Sequence, residues 1–470
     1  IRDPGSRKKA SSGRVIQFSR IQHPGSFLSI MPKFKIITLG CKVNQAESES
    51  IAGRLTGPDW QPAGSAEEAD LCIINTCAVT QKAAMQSRQA VRHAIHVNPR
   101  ACVAVTGCYA EIDPQTLMAI KGMDCIIDQA GKACLPEMVH TCGLAKADRP
   151  ALWTGAEVTA RPPVVSSFDT PAGRTRPFLK IQDGCDAFCS YCIVPYARGR
   201  SRSSELHAVI ASMERLAAQG FHEVVLTGIH IGFYGRDLDP RSSLLELLQR
   251  VAALKPPIRV RLSSIEPLEL TDEIISLAAG SDRFCRHFHI PLQSGDAPIL
   301  KRMGRPYSPA AFGTLVRKIR LHMPDAAIGA DVLVGFPGET ETAFENTFQL
   351  IEALPVTYLH VFPFSARPGT AAHGFTDKVP PHRIKQRCRR LRQLGSRKRL
   401  DFHRSFIGQQ VPVLVESRHE PKTGLLKGVS SNYLPVLFEG GDELMNRMLN
   451  VRITKADAIR LIGNLAEFPG

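Results

Sequence analysis

No stretch of this 470-residue chain approaches the roughly 18 consecutive apolar residues of a membrane-spanning helix, so nothing in it points to a bilayer. Equally absent is a G-x-x-x-x-G-K-S/T phosphate loop, and no G-x-G-x-x-G opens a helix after a strand. Nucleotide hydrolysis and ordinary dinucleotide chemistry therefore lack their usual cradle. Acidic residues are outnumbered, 44 against 59 Lys plus Arg, and the resulting +15 points to a polyanionic partner, nucleic acid before others. Residues 1–30 are nearly free of acids and rich in Arg, Lys and Ser, a composition shared by organelle transit peptides. They lack an apolar core, however, and Met31-Pro32-Lys33 stands directly before the first strand signal. The expectation is a disordered extension, with the natural start at Met31.

Thirteen cysteines without a secretory-signal pattern predict a reducing compartment, the cytoplasm, where thiols serve metals and not disulfides. Three of them fall within eight residues, in Asp183-Gly184-Cys185-Asp186-Ala187-Phe188-Cys189-Ser190-Tyr191-Cys192. One loop of that spacing can wrap its sulfurs around one face of a metal centre. A fourth protein ligand is missing. Structural zinc closes with four ligands and the usual cubane cluster takes four cysteines, so three thiolates predict a cluster with one iron open to something that is not protein. No Cys or His follows at zinc-ribbon spacing.

Cys-x-x-x-Cys-x-x-Cys with an aromatic, Tyr191, just before the last cysteine resembles the signature of the radical S-adenosylmethionine enzymes. In that superfamily the amino and carboxylate groups of S-adenosylmethionine chelate the open iron, and the aromatic lies near the adenine. The resemblance thus implies Cys185, Cys189 and Cys192 as catalytic cluster ligands and Tyr191 as a cofactor contact. The longer run from Gly184 to Arg200, ending Ile193-Val194-Pro195-Tyr196-Ala197-Arg198-Gly199-Arg200, narrows the likeness to the methylthiotransferases.

Length allows two or three domains, and three are expected. Over 31–145, apolar runs at Lys35–Leu39, Leu71–Asn75 and Cys102–Thr106 alternate with helical stretches, which predicts a parallel sheet whose ligands gather at the carboxyl ends of its strands. Cys41, Cys77 and Cys108 each lie two residues past such an end, so thiols far apart in sequence converge on a second centre. Cys72 and Cys102 read as core residues; Cys125, Cys134, Cys142, Cys285 and Cys388 match no ligand pattern and read as structural. Glu111–Lys121 and Asp124–Asp128 are expected as one more helix and strand. The resemblance agrees: methylthiotransferases carry a flavodoxin-like amino-terminal domain whose three cysteines hold a second 4Fe-4S cluster, associated with the inserted sulfur. Residues 146–173, with Pro150, Pro162, Pro163 and Pro171, read as a linker.

From 174 to 404 six strand-helix units, with strands near Phe178–Gln182, Glu223–Thr227, Ile258–Ser263, His287–Leu292, Ile328–Phe336 and Thr357–Phe364, predict a partial parallel barrel with its site at the carboxyl end. Gly228, Ser264, Glu266 and Gln293, which follow those strands, are the expected S-adenosylmethionine contacts. His230 and His289 show no paired spacing and read as core or surface residues. His382–Arg404 is a dense basic helix suited to phosphates, with Ile384, Cys388, Leu391 and Leu394 as its packed face. Residues 405–470 predict a small β-barrel, and Gly428-Val429-Ser430-Ser431-Asn432-Tyr433-Leu434-Pro435-Val436 resembles the TRAM module of RNA-modifying proteins.

The resemblance implies a tRNA-modifying enzyme with two 4Fe-4S clusters. Cleavage of S-adenosylmethionine yields a deoxyadenosyl radical that takes hydrogen from C2 of an adenine beside the anticodon, and sulfur and methyl follow. An electron donor such as flavodoxin or ferredoxin is implied, and a monomer is favoured. Thr38-Leu39-Gly40-Cys41-Lys42-Val43-Asn44-Gln45 and Thr227-Gly228-Ile229-His230-Ile231-Gly232 resemble the branch acting on N6-threonylcarbamoyladenosine. Isopentenyladenosine or a ribosomal-protein aspartate is the alternative substrate, and a non-catalytic iron-sulfur RNA-binding protein is the alternative class. Arg200 or Arg367 is expected to pair with the threonyl carboxylate.

Overall fold

In the computed structural model, which describes residues 31–142, 146, 150–153 and 174–466, the amino-terminal half-wound sheet grows around two strands buried at every residue. These are β3 (Leu71–Thr76) and β4 (Cys102–Gly107), preceded by β1 (Lys33–Thr38), α1 (Lys42–Leu55) and β2 (Gln61–Pro62). Continuous apolar runs behave this way because helices cover both faces of a parallel sheet. The helices are α2 (Gln81–Val97), the short α3 (Cys108–Ile112) and α4 (Pro114–Met118), and, after β5 (Cys125–Ile127), α5 (Leu135–Cys142). The single helix expected over 111–121 is broken, since Pro114 cannot donate within a helix and Asp113 caps the new start through the Thr116 amide. Within the expected linker, Ala151–Trp153 forms β6 and extends the sheet; residues 1–30 and 154–173 lie outside the described residues. The all-parallel order β2-β1-β3-β4-β5-β6 is flavodoxin-like, with its switch point between β1 and β3.

The central domain runs from β7 (Phe178–Lys180) through a small ladder of β8 (Gln182–Asp183) with β9 (Arg202–Ser203), which flank α6 (Val194–Arg198). Then follow α7 (Leu206–Ala218), β10 (Glu223–Thr227), α8 (Leu244–Ala252), β11 (Arg259–Leu262), α9 (Asp272–Ala279) and β12 (His287–Gln293). After α10 (Ala297–Met303) and α11 (Pro309–His322) come β13 (Ala327–Val334), α12 (Glu341–Ala353) and β14 (Tyr358–Pro363). Six parallel strands form two three-stranded sheets, β11-β10-β7 and β12-β13-β14, joined by the bridges Val260–Phe284 and Ser264–His289. Alternate residues such as Leu179, Leu226, Leu262, Ile290 and Val332 pack outward against the helices. The period of two then leaves Lys180, Thr227, Arg261, His289, Asp331 and His360 on the lumen face.

Helix α13 (Pro381–Arg404) lies on β14 with Cys388, Leu391 and Leu394 in the core, as its apolar spacing predicts. Its charges are less free than expected. Arg387 binds Glu339 at 2.6 Å and Glu341 at 2.9 Å, Arg390 binds Glu345, Arg397 binds Glu352, and Lys398 donates to the Glu352 and Leu354 carbonyls. Lys385 and Arg389 remain exposed on the outer face.

The strands β15 (Gln410–His419), β16 (Leu426–Ser430), β17 (Pro435–Phe438), β18 (Met448–Ala456) and β19 (Leu461–Leu465) close a barrel around Val413, Val415, Leu434, Val436 and Ile453. Fully buried Arg261 reaches out of the central lumen to donate to the Ser430 and Ser431 carbonyls at 2.9 and 3.0 Å. The small barrel is thereby part of the lumen wall, and removing it strips acceptors from a buried cation.

Candidate active site

The three-cysteine loop hangs from the neck formed by β8 and β9. Gly184, at φ +71°, lets the chain close there, since a Cβ would sit 1.9 Å from the Arg200 carbonyl oxygen. The Cys185 amide donates to the Gly199 carbonyl at 3.1 Å, the Cys192 amide to the Cys189 carbonyl at 2.9 Å, and the Ser190 amide to the Met303 carbonyl at 2.9 Å. The thiols act on one another electrostatically: burial pushes Cys192 up to about 12, with Cys189 and Cys185 adding to the rise, and burial pushes Cys189 upward with Cys185 adding to it. Arg305 donates to Cys189 Sγ at 3.2 Å and holds an ion pair with Glu266. His230 Nδ1 lies 3.4 Å from Cys185 Sγ, and its Nε2 donates to Glu269 at 2.7 Å. Burial opposes the imidazolium, but the hydrogen bonds to Cys185 and Glu269 outweigh it and lift the ring to about 9.

Of the expected cofactor contacts, Glu266 reaches this loop through Arg305 and Gly228 lies against Gln182 at its base. Tyr191 packs edge-on to Phe336 with centroids 6.5 Å apart. Gly228 lets the strand end lie against Gln182, whose carbonyl would be 3.0 Å from a Cβ there. Ser264 is exposed, Glu266 is half-buried on Arg305, and Gln293 takes a left-handed φ of 63° at the β12 bulge.

The second set of thiols also converges. Cys77 and Cys108 follow β3 and β4 directly, and Cys41 caps α1 three residues beyond β1. Gly40, at φ +100°, brings the first loop against Cys77: a Cβ would lie 3.0 Å from Cys77 Sγ. Burial pushes Cys77 up to about 11, with Cys108 and Cys41 adding to the rise, so all three act on one another. Cys41 is exposed and the other two are buried. Cys72 and Cys102 are buried within strands as expected, and the neighbouring Cys125, together with burial, pushes the Cys102 thiol upward. Cys285 and Cys388 are buried in the central domain, Cys134 is half-buried, and the Cys142 side chain lies outside the described residues.

Between the two sets runs a buried ion network. Glu47 of α1 accepts from Arg198 at 2.9 Å, Lys180 at 2.9 Å and Lys132 at 2.7 Å, while Arg198 also binds Asp183 at 2.9 Å. Burial alone would raise the Glu47 carboxyl, yet Arg198, Lys132 and Lys180 hold it well below the ordinary carboxylate range. Three cations face two acids here, close enough to Cys108 that Arg198 and Lys132 both pull its thiol downward. A surplus positive charge beside buried thiols is what an anionic iron-sulfur cluster would balance, so the donor set suits one. At mid-lumen, Asp331 accepts from His289 at 2.7 Å with His360 Nδ1 3.4 Å away, the three ligand atoms lying within 4.8 Å of one another.

Residues 33–128 match the uncharacterized protein family UPF0004 and residues 179–351 the radical SAM superfamily. The chain is 36% identical over 426 residues to the threonylcarbamoyladenosine tRNA methylthiotransferase MtaB of Bacillus subtilis (strain 168), covering 89% of this chain and 93% of that protein. It belongs to the radical S-adenosylmethionine methylthiotransferase family. A family member named tRNA-2-methylthio-N(6)-dimethylallyladenosine synthase, from Syntrophomonas wolfei, is 32% identical over 438 residues, with 92% and 97% coverage. Among solved structures, the cobalamin- and 4Fe-4S-bound radical S-adenosylmethionine methyltransferase TsrM from Kitasatospora setae aligns with a TM-score of 0.53 at 17% identity, covering 73% and 77% of the two chains, a likeness of fold.

In this methylthiotransferase no sequence motif marks His230, Glu269 and Arg305 as neighbours of the first cysteine set. His230 was legible only as a polar residue two past Gly228, because Glu269 and Cys185 reach it from other strand ends. Arg200 is exposed and lies 3.4 Å from Asp186; Arg367 is buried beside Cys77 and Tyr109 with its Nε unpartnered.

Proposed function

We propose that this protein transfers a methylthio group to C2 of N6-threonylcarbamoyladenosine in tRNA, using S-adenosylmethionine and two 4Fe-4S clusters. The observation that carries this reading is the pair of three-thiol sites on separate domains, locked together by the Glu47 network beside one polar lumen. When bound, the cofactors supply one-electron reduction, radical hydrogen abstraction and the sulfur and methyl of the new group. Cys185, Cys189 and Cys192 would hold one cluster, and Tyr191, Gly228, Ser264, Glu266 and Gln293 would contact S-adenosylmethionine beside it. Cys41, Cys77 and Cys108 would hold the other. Arg305 and His230 donate toward Cys189 and Cys185 and so orient those ligands. Small β-barrels bind RNA, and the carboxyl-terminal one forms part of the lumen wall, which suits it to presenting the anticodon loop. An electron donor such as flavodoxin or ferredoxin completes the cycle, and the chain acts as a monomer in the cytoplasm. Among the described residues no helix is long and apolar enough to cross a membrane.

Mass spectrometry of tRNA nucleosides from a deletion strain tests the substrate. Loss of the methylthio derivative of threonylcarbamoyladenosine, with its precursor accumulating, is expected. Loss of the isopentenyl derivative instead assigns the protein to the sister activity. A non-catalytic iron-sulfur RNA-binding protein would release no deoxyadenosine from S-adenosylmethionine under reducing conditions, whereas this chain should.

His230 offers a further check. Replacing it by Ala should lower deoxyadenosine formation about 10- to 100-fold, the usual cost of losing a partner that orients a metal ligand. The electron paramagnetic resonance signal of the reduced cluster should change with it, and His230→Gln should recover part of both. Wild-type spectra and rates in His230→Ala would remove the residue from the site.

A further inference from the structure

We infer that Lys42 is the specificity-determining cation of this site and receives the carboxylate of the substrate's N6-threonylcarbamoyl group. The inference rests on the substrate proposed above and names the residue that recognises it. A cavity of about 420 Å3 lies where the three domains meet, walled by Phe178, Val225 and Arg261 of the central strands, Tyr433 of the small barrel, and Lys42 at the start of α1. Three of its four arginines are otherwise engaged. Arg174 pairs with Glu49, Arg176 with Glu416 at 2.8 Å, and Arg261 with Glu223 at 2.8 Å and with two carbonyls. Arg418 is exposed at the edge. Lys42 is half-buried, and among the described residues no carboxylate lies within 4.0 Å of its ammonium and no acceptor hydrogen-bonds it.

Its position in the helix makes this unpaired charge more costly. Lys42 is the first residue of α1, where the peptide dipoles already present positive charge, and the first turn contains no acid to offset it. A carboxylate delivered into the cavity would relieve both the unpaired ammonium and the helix terminus. Lys42 also directly follows Cys41, the exposed member of the second set of thiols. A threonylcarbamoyl group supplies the carboxylate, along with a hydroxyl and a urea for the polar walls. An isopentenyl group would leave Lys42 desolvated and unpaired, and sites built around a polar partner reject analogues lacking it. Arg200 and Arg367, the cations expected from sequence, do not line this cavity.

The test uses the anaerobically reconstituted full chain and two anticodon stem-loop RNAs, one bearing threonylcarbamoyladenosine and the other its methyl ester. The wild-type protein should favour the free acid by roughly 10- to 100-fold, in both Kd and kcat/KM, as befits one charge-assisted hydrogen bond. Lys42→Met should lose that preference through the acid's Kd and KM. Lys42→Arg should keep it, and iron content is measured in each variant so that cluster loss is not mistaken for lost recognition. Should Lys42→Met disturb the cluster, Lys42→Gln serves the same comparison. Retained acid preference in an iron-replete Lys42→Met or Lys42→Gln protein overturns the assignment, as does loss of preference in Arg367→Met alone. Failure of the wild-type protein to modify either RNA while modifying an isopentenyladenosine stem-loop overturns the substrate itself.

Discussion

Replacing Cys185, Cys189 and Cys192 together by Ala should remove about half of the iron that the protein takes up on anaerobic reconstitution, and all deoxyadenosine formation. Replacing Cys41, Cys77 and Cys108 should remove the other half while some S-adenosylmethionine cleavage survives. The asymmetry follows from geometry. The first set lies on one loop at the carboxyl end of the central strands, beside Arg305, His230 and Tyr191, whereas the second is built from three strand ends of another domain. Iron analysis and product chromatography on the two triple variants check both halves. A full iron complement in the second variant would show that the convergence at the sheet edge does not ligate metal.

Glu47→Gln should be the most damaging single change outside the cysteines. Glu47 is 6% exposed and touches Arg198, Lys180 and Lys132, so a neutral amide leaves three buried cations facing Asp183 alone. Removing one partner of a buried network costs on the order of 3–5 kcal/mol. The loss should appear in chemical unfolding as an earlier transition and as weaker coupling between the amino-terminal and central domains. Acid should reveal the same interaction. The folded Glu47 carboxyl is held well below its usual value, so its contribution is complete above the unfolded value of about 4.3 and is lost as pH falls further. Wild-type stability should therefore fall steeply with acid in that range, and Glu47→Gln should fall less steeply. Equal slopes would mean that the network does not hold the two domains.

Much of this was present in local sequence. The spacing of Cys185, Cys189 and Cys192 is a property of one loop, so it could be read without knowing the fold. Strand and helix periods placed all six central strands to within two or three residues, because outward residues packed under helices recur at every second position along each strand. Cys41, Cys77 and Cys108 were legible once the strands were taken as parallel, since parallel strands bring their carboxyl ends to one edge. The break at Pro114 and the strand at Ala151–Trp153 were less so: one turned on a single capping aspartate, and the other on pairing across the sheet.

What the linear chain left open is the set of partners that each charge finds. Arg198 reads only as one position of the run from Gly184 to Arg200, yet it is 5% exposed and binds both Glu47 of the amino-terminal domain and Asp183. The arginines of α13 read as a phosphate-binding surface, and several instead fasten that helix to α12. Lys42 reads as one position of the motif from Thr38 to Gln45; only the meeting of α1, the central strands and the small barrel sets it in a cavity with Asp331 as a neighbouring acid but, among the described residues, no carboxylate within 4.0 Å. Apolar periodicity is decided by neighbours three or four residues away and so survives in the sequence. Pairing of charges is decided by elements dozens to hundreds of residues apart, and only the tertiary structure brings them within the few ångströms where Coulomb attraction and hydrogen bonding act.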